Sequence, residues 1–305
     1  MAGVSFRAAE SANKRKTFFL LIGMAVLVWA VIFAALTYFG QSTSAIVPIA
    51  FGIALFSIWG AYFSADKLVM TMTGAKIIQE SDNPQLFNLI HEVTIASGLP
   101  MPKVAIVEDN APNAFATGRN PEHSVIAFTT GILNVMNRDQ LQGVIAHEMS
   151  HVGNRDTLVS AVAATTAGAI AVLSDVLTRM MWFGGGRRDN KDSNSNPIAL
   201  VLSLVILILA PIAAILLKSA ISRRREALAD ATAVAFTRNP AGLRSALEVL
   251  AADSTVVHQR STAVAHIWIE SPLDGKSVSR LFDTHPPIQD RIAALRAMES
   301  LGPAT

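Results

Sequence analysis

The distribution of apolar residues constrains this chain more than any other feature of its sequence. Four apolar stretches lie at about 17–39, 44–63, 157–178 and 197–217. A helix needs about 20 apolar residues to cross a bilayer, and each stretch is near that length. Only 16% of the residues are charged, whereas soluble domains carry about 25%. The sequence therefore predicts four transmembrane helices, of which the third, rich in small residues, is the least apolar.

Basic residues predict the orientation of these spans, because lysine and arginine collect on the cytoplasmic side of a membrane. They precede the first span at Arg7 and 14–16, and they follow the fourth at Lys218 and Arg223–Arg225. We predict that both termini and the polar segment 66–156 lie in the cytoplasm. Arg223–Arg225 are interpreted as a helix anchor at anionic lipid headgroups.

Charge and cysteine content exclude several classes of function. The formal net charge is only +2, so no nucleic-acid partner is expected. The chain has no cysteine, which excludes a disulfide framework, a thiolate zinc site and a cysteine nucleophile.

The polar segments have the patterns of a mainly α-helical domain with a few short strands. Helices are predicted at 82–97, 138–155, 218–236, 241–252 and 287–300, and strands at 103–107 and 124–129. We predict four consecutive parts: 1–65 with a basic segment and the first hairpin of spans, 66–156 as the first half of a polar domain, 157–218 as a second hairpin, and 219–305 as the second half.

A metal-binding pattern lies on the helix predicted at 138–155. His147 and His151 are four residues apart, so both imidazoles lie on one face of the helix and can bind one zinc ion. Glu148 lies beside them and can reach a water molecule on the metal. The alternative is two solvated histidines at a helix end.

A catalytic zinc needs a third protein ligand, and Glu226 is the best candidate. Asp230 is one helical turn further on and could accept a hydrogen bond from a ligand histidine. Spacing alone does not distinguish this role of Glu226 from an ion pair with its arginine neighbours. The two membrane crossings between His151 and Glu226 would return the chain to the same side of the bilayer, as a shared site requires.

The motifs HEMSH at 147–151, REALAD at 225–230, NAFATG at 113–118 and THPPIQDRI at 284–292 resemble those of the HtpX-like membrane metallopeptidases. These are relatives of the CAAX prenyl endopeptidases within the gluzincin group. The resemblance implies four membrane spans and a cytoplasmic α+β gluzincin-type protease domain with a small β-sheet. It also implies one zinc ion held by His147, His151 and Glu226, and a location in the inner membrane of a prokaryote.

The resemblance implies further site residues. Asn113, Ala114 and Phe115 resemble the edge strand on which gluzincins bind an extended substrate, since an edge offers backbone hydrogen-bonding groups to a peptide; the alternative is an ordinary turn. His285 could donate a hydrogen bond to the oxyanion, or it could cap the last helix. Arg291, in the same motif, is interpreted as structural.

The expected activity is cleavage of protein or peptide substrates at the cytoplasmic membrane face, with Glu148 as general base. The resemblance implies a role in the quality control of misfolded membrane proteins and in stress response. Two alternatives stay open: a prenyl-protein endopeptidase, for which four spans enclose too small a chamber, and a non-catalytic membrane scaffold with a structural zinc. A structural zinc would need a fourth protein ligand, for which the sequence offers no candidate.

Overall fold

The structure is a computed structural model. It describes residues 43–158, 160, 225–253, 255, 257, 267–269 and 287–300, with scattered positions between 15 and 33. The chain divides into two compact units, one made of Met1–Phe63 and Val162–Leu217, the other of Ser64–Ala161 and Lys218–Thr305.

Helix α1, Thr43–Thr73, contains Pro48 near its start. In the part of the chain that the structure describes, no helix has the combination of length and hydropathy that crossing a membrane requires. The spans predicted at about 157–178 and 197–217 lie almost wholly outside the described residues, as does most of the span at 17–39. The four-span arrangement therefore stays a prediction.

The second unit contains a four-stranded mixed sheet. Its strands are β1 (Lys76–Ile77), β2 (Lys103–Val107), β3 (Ala114–Gly118) and β4 (Ser124–Thr129), in the order β1-β2-β4-β3. β2 and β4 are parallel, and the other two pairings are antiparallel. The strands predicted at 103–107 and 124–129 are confirmed. β3 forms one edge of the sheet among the described residues.

Helix α2, Pro84–Ser97, buries the face that its sequence predicts. Asn83 caps its first turn by accepting a hydrogen bond from the Leu86 N–H, and the helix ends at Gly98, whose φ of 68° suits glycine. Leu86, Ile90 and Val93 are buried in the core, as their helical spacing indicates.

Helix α4, Arg138–Gly153, follows the short helix α3 (Thr130–Val135) and lies at the centre of the unit. Asn137 and Gln140 form a reciprocal capping box at its start. It packs against α2, β3 and the helix Pro240–Ala252, which in turn packs against the helix Ile288–Ser300. The remaining helices are α5, described from 225 to 237, α6 (Pro240–Ala252) and α7 (Ile288–Ser300). A mainly helical domain with a small sheet is therefore confirmed.

Candidate metal centre

The paired histidines are inside the protein, not on its surface. His147 is fully buried and His151 has a side chain that is 16% exposed. One turn of α4 separates them, and their Nε2 atoms are 3.2 Å apart. The alternative of two solvated histidines at a helix end is therefore wrong, because burial brings the two ring nitrogens together inside the protein.

Glu226 on α5 completes a triangle of donor atoms. Its Oε2 is 3.4 Å from His147 Nε2, and its Oε1 is 3.5 Å from His151 Nε2. Donors about 2.0–2.1 Å from zinc at tetrahedral angles lie about 3.3 Å apart. The two histidine nitrogens have about this separation, and each lies 3.4 or 3.5 Å from a different oxygen of Glu226. One donor atom from each residue lies within 4.8 Å of the other two, so these side chains fit a zinc ion.

Asp230 lies one turn after Glu226 and determines the orientation of the first histidine. Its Oδ1 is 2.9 Å from His147 Nδ1. With the carboxylate as acceptor, Nδ1 carries the hydrogen and the Nε2 lone pair is directed at the centre. This is the arrangement that the sequence proposed for Asp230.

Arg291 on α7 is the cation of the cluster and is buried. Its guanidinium donates to both oxygens of Asp230, at 2.9 and 2.7 Å, and lies 3.4 Å from Glu226 Oε2. It also donates to the Ile269 carbonyl at 3.3 Å. Burial acts to lower the pKa of Arg291, but the charges of Asp230 and Glu226 outweigh this effect and hold the pKa above its usual value. The sequence indicated only a structural arginine; nothing in its spacing placed it beside the ligands.

The same network raises the pKa of His147 and lowers the pKa of Asp230. Burial and Arg291 act to lower the pKa of His147, but the hydrogen bonds with Asp230 and Glu226 outweigh them and raise it to about 9. Burial acts to raise the pKa of Asp230, but Arg291 and His147 hold it at about 2. Without metal, His147 therefore binds a proton that a metal ion has to displace.

Glu148 follows His147 on α4 and is 2% exposed. Burial raises the pKa of its carboxyl group, and the charge of Glu226 adds to this effect, whereas His147, His151 and Arg291 oppose it. Its carboxylate is not one of the clustered donor atoms. Glu148 is thus a buried carboxyl group with a raised pKa, adjacent in sequence to His147.

Asp156 supports the second histidine, a role that sequence reasoning missed. Its Oδ2 is 3.1 Å from His151 Nδ1, and its Oδ1 is 3.7 Å from Arg225 Nη1. The side chain of Arg225 is only 11% exposed, so the headgroup-anchor interpretation is wrong for this arginine. His151 and Asp156 are five residues apart, a spacing that does not place two side chains on one helix face, and α4 ends between them.

The segment predicted to bind substrate, 113–115, has two backbone carbonyls that already accept hydrogen bonds within the protein. The Ala114 carbonyl accepts a hydrogen bond from the Ile269 N–H at 2.9 Å, and the Asn113 carbonyl accepts one from Thr129 on β4. Phe115 packs edge-on against Trp268, with ring centroids 4.8 Å apart. His285 lies outside the described residues, so its predicted role is untested.

The chain resembles a known peptidase family over most of its length. A family profile described as Peptidase family M48 matches residues 80–299. A "Protease HtpX homolog" from Caldanaerobacter subterraneus subsp. tengcongensis is 43% identical over 291 residues, covering 95% of this chain and 96% of that protein. Another from Streptococcus gordonii is 44% identical over 293 residues, covering 94% and 98%.

One solved structure, the crystal structure of S. mikatae Ste24p, is 17% identical with a TM-score of 0.48 and covers 96% of this chain and 66% of that one. The family profile covers most of the chain, and the HtpX homologs match it over nearly their whole length. The resemblance to HtpX-like metallopeptidases is confirmed, and the chain belongs to peptidase family M48.

Proposed function

We propose that this protein is a zinc-dependent endopeptidase in which Glu148 is the general base. The observation that carries the proposal is the cluster of His147, His151 and Glu226, in which one donor atom from each residue lies within 4.8 Å of the other two. Zinc bound there would lower the pKa of a water molecule and polarise the carbonyl of a peptide bond.

Glu148 has the properties that the proton transfers require. It is buried beside the ligands, and its raised pKa makes its carboxylate a stronger proton acceptor. It takes a proton from the attacking water and returns it to the amine that leaves. His147 and His151 are meanwhile held by Asp230 and Asp156, so neither imidazole has to reorient during the reaction.

The ligand number favours a catalytic site over a structural one. Among the described residues, the cluster of candidate ligands contains these three side chains and no fourth histidine, aspartate or glutamate. A three-ligand zinc keeps a position open for water or substrate, whereas a structural zinc is closed by four. This supports the enzyme over the alternative of a non-catalytic scaffold.

We further propose that the protein acts at the cytoplasmic face of a bacterial inner membrane, on membrane proteins or misfolded proteins. Four apolar stretches of sequence support this location. On α1, Phe51, Phe56 and Trp59 are 57%, 71% and 60% exposed; aromatic side chains presented in this way are compatible with lipid contact. The prenyl-protein endopeptidase stays the second candidate.

The test compares wild-type protein with Glu148→Gln in detergent, using casein as substrate. Gln keeps the size of the side chain but cannot accept the proton. We expect bound zinc, measured by metal analysis, to be unchanged, and cleavage to fall by about 100-fold or more.

The matched control is Glu92→Gln, since Glu92 is an exposed carboxylate in an ion pair with Arg138. It should cleave as the wild type does. Undiminished cleavage by zinc-loaded Glu148→Gln would discard the mechanism, and a wild-type protein that binds no zinc would discard the site.

A further inference from the structure

Two charged residues meet at the base of a long insertion in the protease unit. Asp156 directly precedes residues 157–224 and Arg225 directly follows them. The Nη1 of Arg225 is 3.7 Å from Oδ1 of Asp156, and its Nη2 donates to the Ser160 hydroxyl at 3.4 Å. Both charged side chains are largely buried, at 3% and 11% exposure.

Each member of the pair is connected to a different proposed zinc ligand. Asp156 uses its second oxygen, Oδ2, to accept a hydrogen bond from His151 Nδ1 at 3.1 Å. Arg225 is adjacent to Glu226 in the sequence and begins the described part of α5. The ion pair therefore joins the segment that follows α4, the helix with the histidines, to the first described residue of α5, the helix with the glutamate.

The backbone around Asp156 is fixed independently of the metal. The next residue, Thr157, donates its hydroxyl hydrogen to the Gly118 carbonyl on β3 at 3.0 Å. Asp156 is thus held against the sheet on one side while it orients His151 on the other. The hydrogen bond of Thr157 restricts the backbone beside Asp156, and burial restricts the Asp156 side chain.

We infer that Asp156 and Arg225 are a positioning pair for the metal site. Asp156 fixes the His151 ring so that Nε2 points at the ion, and Arg225 holds that carboxylate while it keeps Glu226 at ligand distance. The inference rests on the proposed zinc site. An ordinary buried ion pair would stabilise the fold but would not change metal affinity in a folded protein, so the two roles can be separated.

The experiment measures zinc affinity by competition with a chromophoric chelator, in the full-length protein in detergent. Asp156→Asn keeps the size of the side chain but loses its charge, and we expect zinc affinity to fall about 10–100-fold. Arg225→Met, which keeps an apolar stem without the charge, should lower it as well. Asp156→Glu and Arg225→Lys keep the charges and should recover part of the loss.

Two further measurements separate positioning from stability. The double variant Asp156→Asn/Arg225→Met should bind zinc no more weakly than whichever single variant has the lower zinc affinity, because the effects of mutating two coupled residues do not add. Its thermal unfolding midpoint without zinc should recover relative to Asp156→Asn alone, since no unpaired charge stays buried. The visible spectrum of bound Co²⁺ should change in Asp156→Asn, which reports the ligand geometry directly.

The control pair is Arg138 and Glu92, whose exposed side chains contact each other at 2.6 Å. Arg138→Met should leave zinc affinity unchanged. Wild-type zinc affinity and an unaltered Co²⁺ spectrum in folded Asp156→Asn would overturn the positioning role. That result would leave the proposed function intact, which fails only if the wild type binds no zinc or if Glu148→Gln still cleaves.

Discussion

At the scale of single residues, the site balances three buried carboxylates against one buried arginine. Glu148, Glu226 and Asp230 are 2%, 5% and 3% exposed, and Arg291 is 4% exposed. Buried charges are costly unless they are paired. Arg291 pairs with Asp230 and also lies 3.4 Å from Glu226 Oε2, so its single positive charge offsets only one of the three negative charges. The distribution of charge therefore matches a divalent cation at this position.

The raised pKa of His147 predicts how zinc affinity depends on pH. The pKa of His147 is about 9. Below that pH, the metal-free site holds a proton between His147 and the carboxylates of Asp230 and Glu226, and zinc binding has to release it. We expect apparent affinity to rise by up to about tenfold per pH unit as the pH increases toward 9, and then to level off. Chelator competition at several pH values measures this.

The control for this prediction is Asp230→Asn, which replaces the charged acceptor of the hydrogen bond that contributes most to raising the pKa of His147 by a neutral one. Burial and Arg291 then lower that pKa, so the apparent zinc affinity should stop rising at a lower pH than in the wild type. Zinc should bind more weakly overall. An identical levelling point in wild type and Asp230→Asn would contradict the assignment.

The residues that sequence could identify are those with helical spacing. His147 and His151 share a helix face, and Asp230 shares one with Glu226, so periodicity alone pairs them. Asp156 follows the end of α4, where no period applies. Arg291 reaches Asp230 across a separation of 61 residues, which only tertiary packing establishes. Periodicity thus finds partners within one helix, and it misses partners across the fold.

At the scale of helices and strands, α4 and α6 cross at two glycines, Gly143 and Gly242, which have no side chain. A Cβ on Gly143 would lie 2.6 Å from the backbone nitrogen of Leu243, and one on Gly242 would lie 2.7 Å from the Asp139 carbonyl oxygen. We expect Gly143→Ala to push α6 away and to destabilise the protein by about 1–3 kcal/mol. Chemical or thermal unfolding of the zinc-loaded protein measures this loss.

The matched control is another helical glycine, Gly52 on α1, where an added Cβ meets nothing within 4 Å. Alanine is a better helix former than glycine, so Gly52→Ala should leave stability unchanged or raise it. Because Gly143 lies one turn before His147, Gly143→Ala should also weaken zinc binding. Equal stability of the two variants would refute the close crossing.

Helices with a capping signal in the sequence could be predicted, whereas short strands defined only by pairing with another strand could not. α4 has its capping box in the sequence, since Asn137 precedes the helix and Gln140 lies three residues on. β1 has only two residues, Lys76 and Ile77, too few for any alternation to show. β3 was expected only from the resemblance, because AFATG has no clear period and its five residues are all buried.

At the scale of the whole molecule, the protease unit is assembled from two separate segments, Ser64–Ala161 and Lys218–Thr305. The histidines belong to the first segment and Glu226 to the second, so a bound zinc would cross-link them. A ligand that binds only the folded state stabilises it by about 2.7 kcal/mol when its free concentration is 100 times its Kd. Zinc should therefore stabilise this unit as well as equip it for catalysis.

We accordingly expect free zinc at 100 times its Kd to raise the unfolding midpoint by about 5–10 °C over the chelator-treated protein. Glu226→Gln keeps the size of the third ligand but loses its charge, so the second segment is no longer bound through the metal and most of this increase should vanish. Glu92→Gln, an exposed carboxylate on the first segment, should retain the full increase. If Glu226→Gln responds to zinc as fully as the wild type, the metal does not connect the two segments, and the ion must be held by the first segment alone.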